Sequence, residues 1–421
     1  MIDTTVTGGA CPRCGTATVS PLHTVPWCPA CEWNLEAYDA ERIGPLFGWR
    51  WLDRRVHDIG YRMTRRQFDR LLGRPLGATG AGAATIVTAA ASGLLFLGVV
   101  ALAVTGLWLL VAFPFPGPSL LVAVPLLALA VGLRPRFGRL DPHADVLRRD
   151  RTPELFALVD EVAQAVGAPA PDVVAVNDEL NAYAATVGFR RRRVLCLGLP
   201  YWGSLAPQER VALLGHEFGH FVNGDPRRML LTQPAFTTLG SAADLLRPAP
   251  STAPGFIEMV GTALGWIIQY PLSRLLFALH AVLVCVALRD IQRAEYLADE
   301  MSAKAAGTAA ATDLLDATLR VESMALAVRR EARAGHGPQR WQAAVAESWA
   351  ANADQLPRLR QLSAREEASL FSSHPPTGLR QLMLDGAKRH EPAVVLTEDR
   401  SARIDTELAR EYEAVRRTLA W

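Results

Sequence analysis

Apolar and charged positions divide this chain into unlike parts. From Pro75 to Leu133 there is no Asp, Glu, Lys or Arg. Within that stretch Ala84 to Phe113 and Pro118 to Leu133 are almost wholly apolar, split by the turn Pro114-Phe115-Pro116-Gly117. A bilayer core takes ~20 apolar residues of helix, so the first run spans easily, and the second spans if its ends extend or the bilayer thins. The pair predicts a transmembrane helical hairpin over 83–133. A second apolar region, Met259 to Leu288, is interrupted by Pro271 and Arg274 and contains His280. Its halves of ~15 residues suit two short spans, one kinked span or an interfacial hairpin, and we expect a membrane-associated hairpin at about 256–289.

The remaining periodicities are those of a water-soluble domain. Thr152 to Val166 is an amphipathic helix with Thr152 as its cap, and Asp172 to Val176 and Val194 to Leu197 are β-like runs with the arginines 190–193 in a turn before the second. Leu205 to Arg210 reads as a helix start, with Val211, Leu213, Leu214, Phe218 and Phe221 on its core face and Asn223-Gly224-Asp225-Pro226 as its end. Met301 to Trp421 is rich in Ala, Leu, Arg and Glu and helical by pattern. The expected class is α+β, mostly helical with a small β-sheet.

Charge adds orientation. The formal net charge of the 421 residues is +2, which gives no pull toward nucleic acid. Arginines at 50, 54, 55, 62, 65, 66, 70 and 74 precede the first apolar pair, and Arg134, Arg136, Arg139, Arg148, Arg149 and Arg151 follow it. The positive-inside rule places both flanks, and the domain beyond, on the cytoplasmic side of a multi-pass cell-membrane protein. The apolar run begins after a charged stretch of more than 80 residues, the position of a permanent anchor and not of a cleavable signal peptide.

The chemistry begins at His216-Glu217-Phe218-Gly219-His220. On a helix, positions i and i+4 share a face, so His216 and His220 can reach one zinc ion while Glu217 stays free to act as a base. A catalytic zinc takes three protein ligands and keeps a position for water. Downstream, Glu295 and Asp299 are also four apart in a helical stretch, a spacing that suits either a third ligand or a solvated acidic face.

At the amino terminus, Cys11-Pro12-Arg13-Cys14 and Cys28-Pro29-Ala30-Cys31 are paired C-x-x-C knuckles separated by 13 residues, and they resemble a zinc ribbon holding a structural ion. Disulfides are the competing reading, but thiols on a cytoplasmic side stay reduced. His23 lies between the knuckles as a bystander. Trp27, Trp33, Trp49 and Trp51 follow among arginines, a setting for headgroups or a protein partner. Cys196 and Cys285 read as packing residues, and His336 and His390, which have no partners in sequence, as surface residues.

These residues resemble the integral-membrane zinc peptidases of the HtpX type and the related CAAX prenyl proteases, in which H-E-x-x-H is followed by E-x-x-x-D on a second helix. Asn181-Ala182-Tyr183-Ala184 is similar to the family's Asn-Ala-Phe-Ala strand, and Ser373-His374-Pro375-Pro376 with Arg380 to its His-Pro motif. The resemblance implies a zincin-type metallopeptidase domain at 140–421, behind a zinc-ribbon-like module at 1–40, an Arg-rich juxtamembrane segment at 41–82 and the apolar pair. It implies Glu295 as third zinc ligand, Asp299 as hydrogen-bond partner of a ligand histidine and Glu217 as base. It further implies His374 and Arg380 as charge-stabilising groups in the cleft, and Asn181 to Ala184 as the edge that receives an extended polypeptide substrate. The alternative is a catalytically silent membrane scaffold that uses the ribbon to bind partners; an intact Glu217 speaks against it. A specialised prenyl-protein protease would need a large intramembrane chamber, for which two to four spans are too few.

Overall fold

The computed structural model describes residues 5–21, 28, 30–31, 33, 50–77, 83–134, 140–188, 190–224, 238–247, 256–366 and 374–420. His23, Trp27, Trp49, Arg136, Arg139, Asp225, Pro226 and Ser373 lie outside them. The chain divides into two units, Met1–Ala78 with Leu140–Asp225 and Ile291–Trp421, and Thr79–Arg139 with Pro226–Asp290.

In the first unit, strands β1 (Thr5–Ala10) and β2 (Ala17–Pro21) form an antiparallel ribbon. A four-stranded sheet has the order β3 (Asp145–Val146), β4 (Val173–Asn177), β6 (Arg192–Gly198), β5 (Ala182–Val187). Only β4 and β6 run parallel, so β5 is an antiparallel edge. Helices α4 (Pro153–Val166), α5 (Leu199–Trp202) and α6 (Pro207–Asn223) bury their apolar faces with this sheet. α9 (Thr308–Leu319), α10 (Val321–Arg333) and α11 (Pro338–Ala351) continue the same core, as do α14 (Glu398–Glu407) and α15 (Ala409–Leu419). α12 (Leu356–Glu366) and α13 (Thr377–Asp385) pack with α1 (Arg50–Leu71) through Phe68, Tyr296, Ala364, Leu379 and Met383.

One local expectation needs correcting. Thr152 precedes α4 but does not cap it: its hydroxyl donates to the Arg148 carbonyl, and the free amides of Glu154 and Leu155 donate instead to the Glu407 carboxylate at 2.9 and 3.1 Å. A charged acceptor from another helix satisfies two of the open N–H groups at once and suits the positive end of the helix dipole. His336 is exposed, as expected of a surface residue, and its Nδ1 lies 2.8 Å from Glu331 Oε2.

The second unit contains α2 (Ala83–Ala112), α3 (Leu120–Leu133), a helix α7 over 238–245 and the first part of α8 (Phe256–Ala306). α2 and α3 pack at Gly106, where an added Cβ would sit 2.8 Å from Leu127 Cγ. Many of their larger apolar side chains face outward: Leu94 is 71% exposed, Val111 86% and Leu121 81%. Such a surface is costly in water and ordinary against lipid. Among the described residues, two helices carry a window long and apolar enough to cross a membrane, in Thr85–Ala112 and in Gly265–Ala306, the latter window lying ahead of the charged run that begins at Arg289. α3, with 14 residues, rises only ~21 Å and falls short of the span expected for it.

The expected hairpin at 256–289 is absent as well. Residues 256–306 form one 51-residue helix with Pro271 inside it. A single proline removes one backbone hydrogen bond and does not reverse the chain. α7 packs on this helix, with Ser273 Oγ donating to the Ala243 carbonyl at 2.7 Å, and Thr85 Oγ of α2 donates to Asp290 Oδ2 at 3.0 Å.

α6 and the last turns of α8 approach to backbone contact. A Cβ on Gly219 would lie 2.5 Å from Ala298 Cα, and one on Gly215 would lie 2.9 Å from Ser302 Cα and from Ala305 Cβ. Ser302 Oγ donates to the Ala212 carbonyl at 2.8 Å across the same seam. Gly219→Ala therefore lowers stability by about 1–3 kcal/mol despite the better helix propensity of alanine. The check is the thermal unfolding midpoint of the detergent-purified chain beside Gly98→Ala, which places its methyl in open space and does not lower the midpoint.

Burial pushes the Glu209 carboxyl from 4.5 up to about 7, although it accepts the Ala206 N–H. The folded chain thus holds this proton more tightly than the unfolded chain. Its stabilising contribution is complete below about pH 4.5 and is lost as pH rises through about 7. Glu209→Gln keeps the acceptor and removes the charge. Its unfolding midpoint exceeds wild type most at pH 8, by the equivalent of roughly 1–3 kcal/mol, and little at pH 5.

Candidate metal centre

Pro207 sets the first turn of α6, the Glu209 carboxylate accepts the Ala206 amide at 2.8 Å, and Gly224 ends the helix in the left-handed conformation with φ 74°. Farther along, Arg210 is buried against the Trp202 ring and paired with Asp405 at 2.8 Å, fixing α6 to α14. His216 and His220 follow on the side that meets α8. Their rings lie 5.1 Å apart, edge to face.

Glu295 comes from α8 across the glycine seam. Its Oε2 is 3.7 Å from His216 Nε2 and its Oε1 is 3.7 Å from His220 Nε2. One ligand atom from each of the three residues lies within 4.8 Å of the other two. Tetrahedral zinc with bonds of ~2.0–2.2 Å separates its ligands by roughly 3.3–3.6 Å, so this donor set fits the ion after small side-chain adjustments.

Asp299, one turn beyond Glu295, has Oδ1 3.1 Å from His216 Nδ1. That carboxylate holds the Nδ1 proton and leaves Nε2 as the free donor. Arg380, from α13, donates to Asp299 with Nε at 2.8 Å and Nη2 at 2.6 Å. Burial works to raise the Asp299 carboxyl, but the Arg380 charge keeps it below the ordinary range. Glu295 behaves alike: burial opposes its charge, while His374, His220 and Arg380 hold its carboxyl well below the ordinary range.

Arg380 differs from its expected place. It is 6% exposed and engaged with Asp299, with Nη1 3.6 Å from Glu295 Oε2, so it braces the carboxylates and does not line an open cleft. His374 is 57% exposed, and its Nδ1 lies 2.8 Å from Glu295 Oε2. Asn181 immediately precedes β5, and Ala182, Tyr183 and Ala184 lie on it.

Glu217 is buried, which raises its carboxyl, while the two imidazoles pull it down. The Ala184 N–H donates to it. Gly198 donates to the Asn181 carbonyl, so backbone groups of Tyr183 and Ala185 face β6, and those of Ala182, Ala184 and Thr186 face outward. The edge strand and the carboxylate beside the histidines therefore share one side.

The four amino-terminal cysteines also converge. Cys11 Sγ is 3.6 Å from Cys31 Sγ, and Cys14 Sγ is 3.5 Å from Cys28 Sγ. These distances exclude disulfides and approach the ~3.8 Å between sulfurs of a tetrahedral site with ~2.3 Å zinc bonds. Hydrogen bonding with Thr16 lowers the Cys14 thiol to about 6, while burial pushes that of Cys31 up to about 12.

Sequence reasoning missed Gly215 and Gly219. The available signal was two glycines four apart inside a helix, each costing ~1 kcal/mol of propensity, opposite the small residues Ala298, Ser302 and Ala305. It also missed Asp316, which receives Arg360 and Gln381 and so ties α12 and α13 to α9.

Among curated relatives, the Protease HtpX homolog of Bordetella pertussis is 31% identical over 120 residues, 28% of this chain and 39% of that protein. The Protease HtpX homolog of Gemmatimonas aurantiaca is 27% identical over 254 residues, and that of Syntrophobacter fumaroxidans 26% over 238; each match covers 56% of this chain and 76% of the relative. The chain thus spans about two fifths of the Bordetella protein and three quarters of the other two. No solved structure matches significantly. The pattern of peptidase family M48 matches residues 149–387, which hold both histidines, Glu217, Glu295, Asp299, His374 and Arg380, and the chain belongs to that family.

Proposed function

We propose that this chain is a membrane-anchored zinc endopeptidase, cytoplasmic at its amino terminus and protease domain, acting on membrane or misfolded polypeptides. The observation that carries the reading is the donor set of His216, His220 and Glu295 with the buried Glu217 carboxylate beside it. Family membership and the names of the relatives support it. The apolar helices support the anchor, and the arginines on either side of α2 and α3 support the orientation.

In this reading His216, His220 and Glu295 hold the catalytic zinc, and Cys11, Cys14, Cys28 and Cys31 hold a structural one in a ribbon within 1–40. A catalytic zinc supplies Lewis acidity and lowers the pKa of bound water. Glu217 takes the proton from the attacking water and delivers it to the nitrogen of the departing amine. Asp299 holds the His216 tautomer, and Arg380 fixes Asp299. His374, exposed beside Glu295, contributes charge to the tetrahedral intermediate. The outward groups of Ala182 and Thr186 and the outward carbonyl of Ala184 pair with an extended substrate, a mode with little sequence preference.

Detergent-purified wild type is expected to hold two zinc ions per chain and to cleave casein. Glu217→Gln keeps both ions and loses activity by ~10²–10⁴-fold. Metal without cleavage in both proteins would favour the scaffold instead. Asp299→Asn weakens zinc retention against a chelator by ~10–100-fold at the catalytic site alone, so one ion remains on the cysteines; an unchanged chelation profile would remove Asp299 from the zinc site.

A further inference from the structure

We propose that the outer face of helix α1 is a binding site for anionic phospholipid headgroups. It rests on the membrane-anchored part of the reading above and not on the catalytic assignments. Between Arg50 and Arg74 the chain has eight arginines, three aspartates and no lysine or glutamate.

The structure sorts these residues by face. Asp53, His57, Thr64 and Phe68 form the buried stripe. Gln292 of α8 donates to Thr64 Oγ1 at 2.7 Å, and the Phe68 ring lies 6.4 Å from that of Tyr296. α1 is thus seated on the turn of α8 that carries Glu295. Arg55, Arg62, Arg66 and Arg70, spaced by seven, four and four residues, project on the opposite side, and all are exposed. They form a straight row of ~22 Å. Among the described residues the only ion pair formed by arginines of α1 is Arg65 with Asp69, at 3.3 Å, so the row is not spent on internal carboxylates.

Trp51 stands four residues before Arg55 on the same face and is 66% exposed. An exposed indole beside guanidinium groups suits the zone between headgroups and acyl chains, where its ring finds apolar and polar surroundings together. Guanidinium forks match phosphate oxygens in pairs, which ammonium groups do not. The chain enters the apolar helix α2 at Ala83, twelve residues beyond Leu71. Basic residues this near a membrane segment meet the anionic leaflet. Charge, the aromatic flank and chain continuity favour a lipid surface over a nucleic acid.

The test uses the full chain in nanodiscs of phosphatidylcholine, with and without phosphatidylglycerol, and follows phenylglyoxal modification of each arginine by peptide mass spectrometry. Phosphatidylglycerol is expected to slow modification of Arg55, Arg62, Arg66 and Arg70 by about threefold or more, to leave Arg417 on α15 unchanged, and to lose its effect at high salt. It also raises the unfolding midpoint of wild type but not of the variant carrying Arg55→Gln, Arg62→Gln, Arg66→Gln and Arg70→Gln. Equal reactivity in both discs overturns the proposal. Protection by free glycerol phosphate assigns the row to soluble phosphate, and protection by an oligonucleotide but not by phosphatidylglycerol assigns it to nucleic acid; either overturns it. Failure of the chain to enter the discs contradicts the anchor itself and removes this proposal with it.

Discussion

The site depends on two helices touching backbone to backbone. Gly215 and Gly219 give up side chains so that α6 can lie on Ala298, Ser302 and Ala305 of α8. The contact brings His216 and His220 to Glu295 and sets the distance between them. A methyl group on either glycine occupies space already filled by α8, and close-packed interiors absorb such a change only by shifting elements. The residues that shape the site are therefore among the smallest in it.

Around that seam lies an unusual amount of buried charge. Glu217, Glu295, Asp299 and Arg380 are each at most 6% exposed. Burying ions is expensive, and such a cluster is tolerable only when each charge is paired or held by hydrogen bonds. Arg380 meets this demand by giving one edge of its guanidinium, Nε and Nη2, to Asp299 while Nη1 stands near Glu295. Its own position depends on α13, which Ser363 holds through the Gly378 amide and Asp316 through Gln381. On the other side, Arg210, Ser401, Asp405 and Tyr412 form a second buried network that locks α6 to the carboxy-terminal helices. The charges thus fix geometry more than they add stability.

Much of this was legible in the sequence because it is local. Two histidines at i and i+4, a proline start and a glycine stop define α6 without reference to the rest of the chain. The carboxylates at 295 and 299 gain meaning only beside a resemblance, since spacing alone equally suits a solvated helix face. What stayed hidden is what distance in sequence conceals. Glu407 caps a helix more than 250 residues away, displacing the nearby Thr152. Arg380 turns to Asp299 because a buried carboxylate needs a partner, which no motif records. The continuity of α8 is hidden for another reason: Pro271 looks like an interruption, yet one lost hydrogen bond leaves the helix intact.

The most direct test of the centre is zinc X-ray absorption on the full chain carrying Cys11→Ser and Cys14→Ser, so that only the ion between α6 and α8 contributes. One zinc per chain is expected, with nitrogen and oxygen neighbours at ~2.0–2.2 Å, two of them imidazoles, and no sulfur. A chain without zinc, or a spectrum with sulfur ligands, would contradict the assignment of His216, His220 and Glu295.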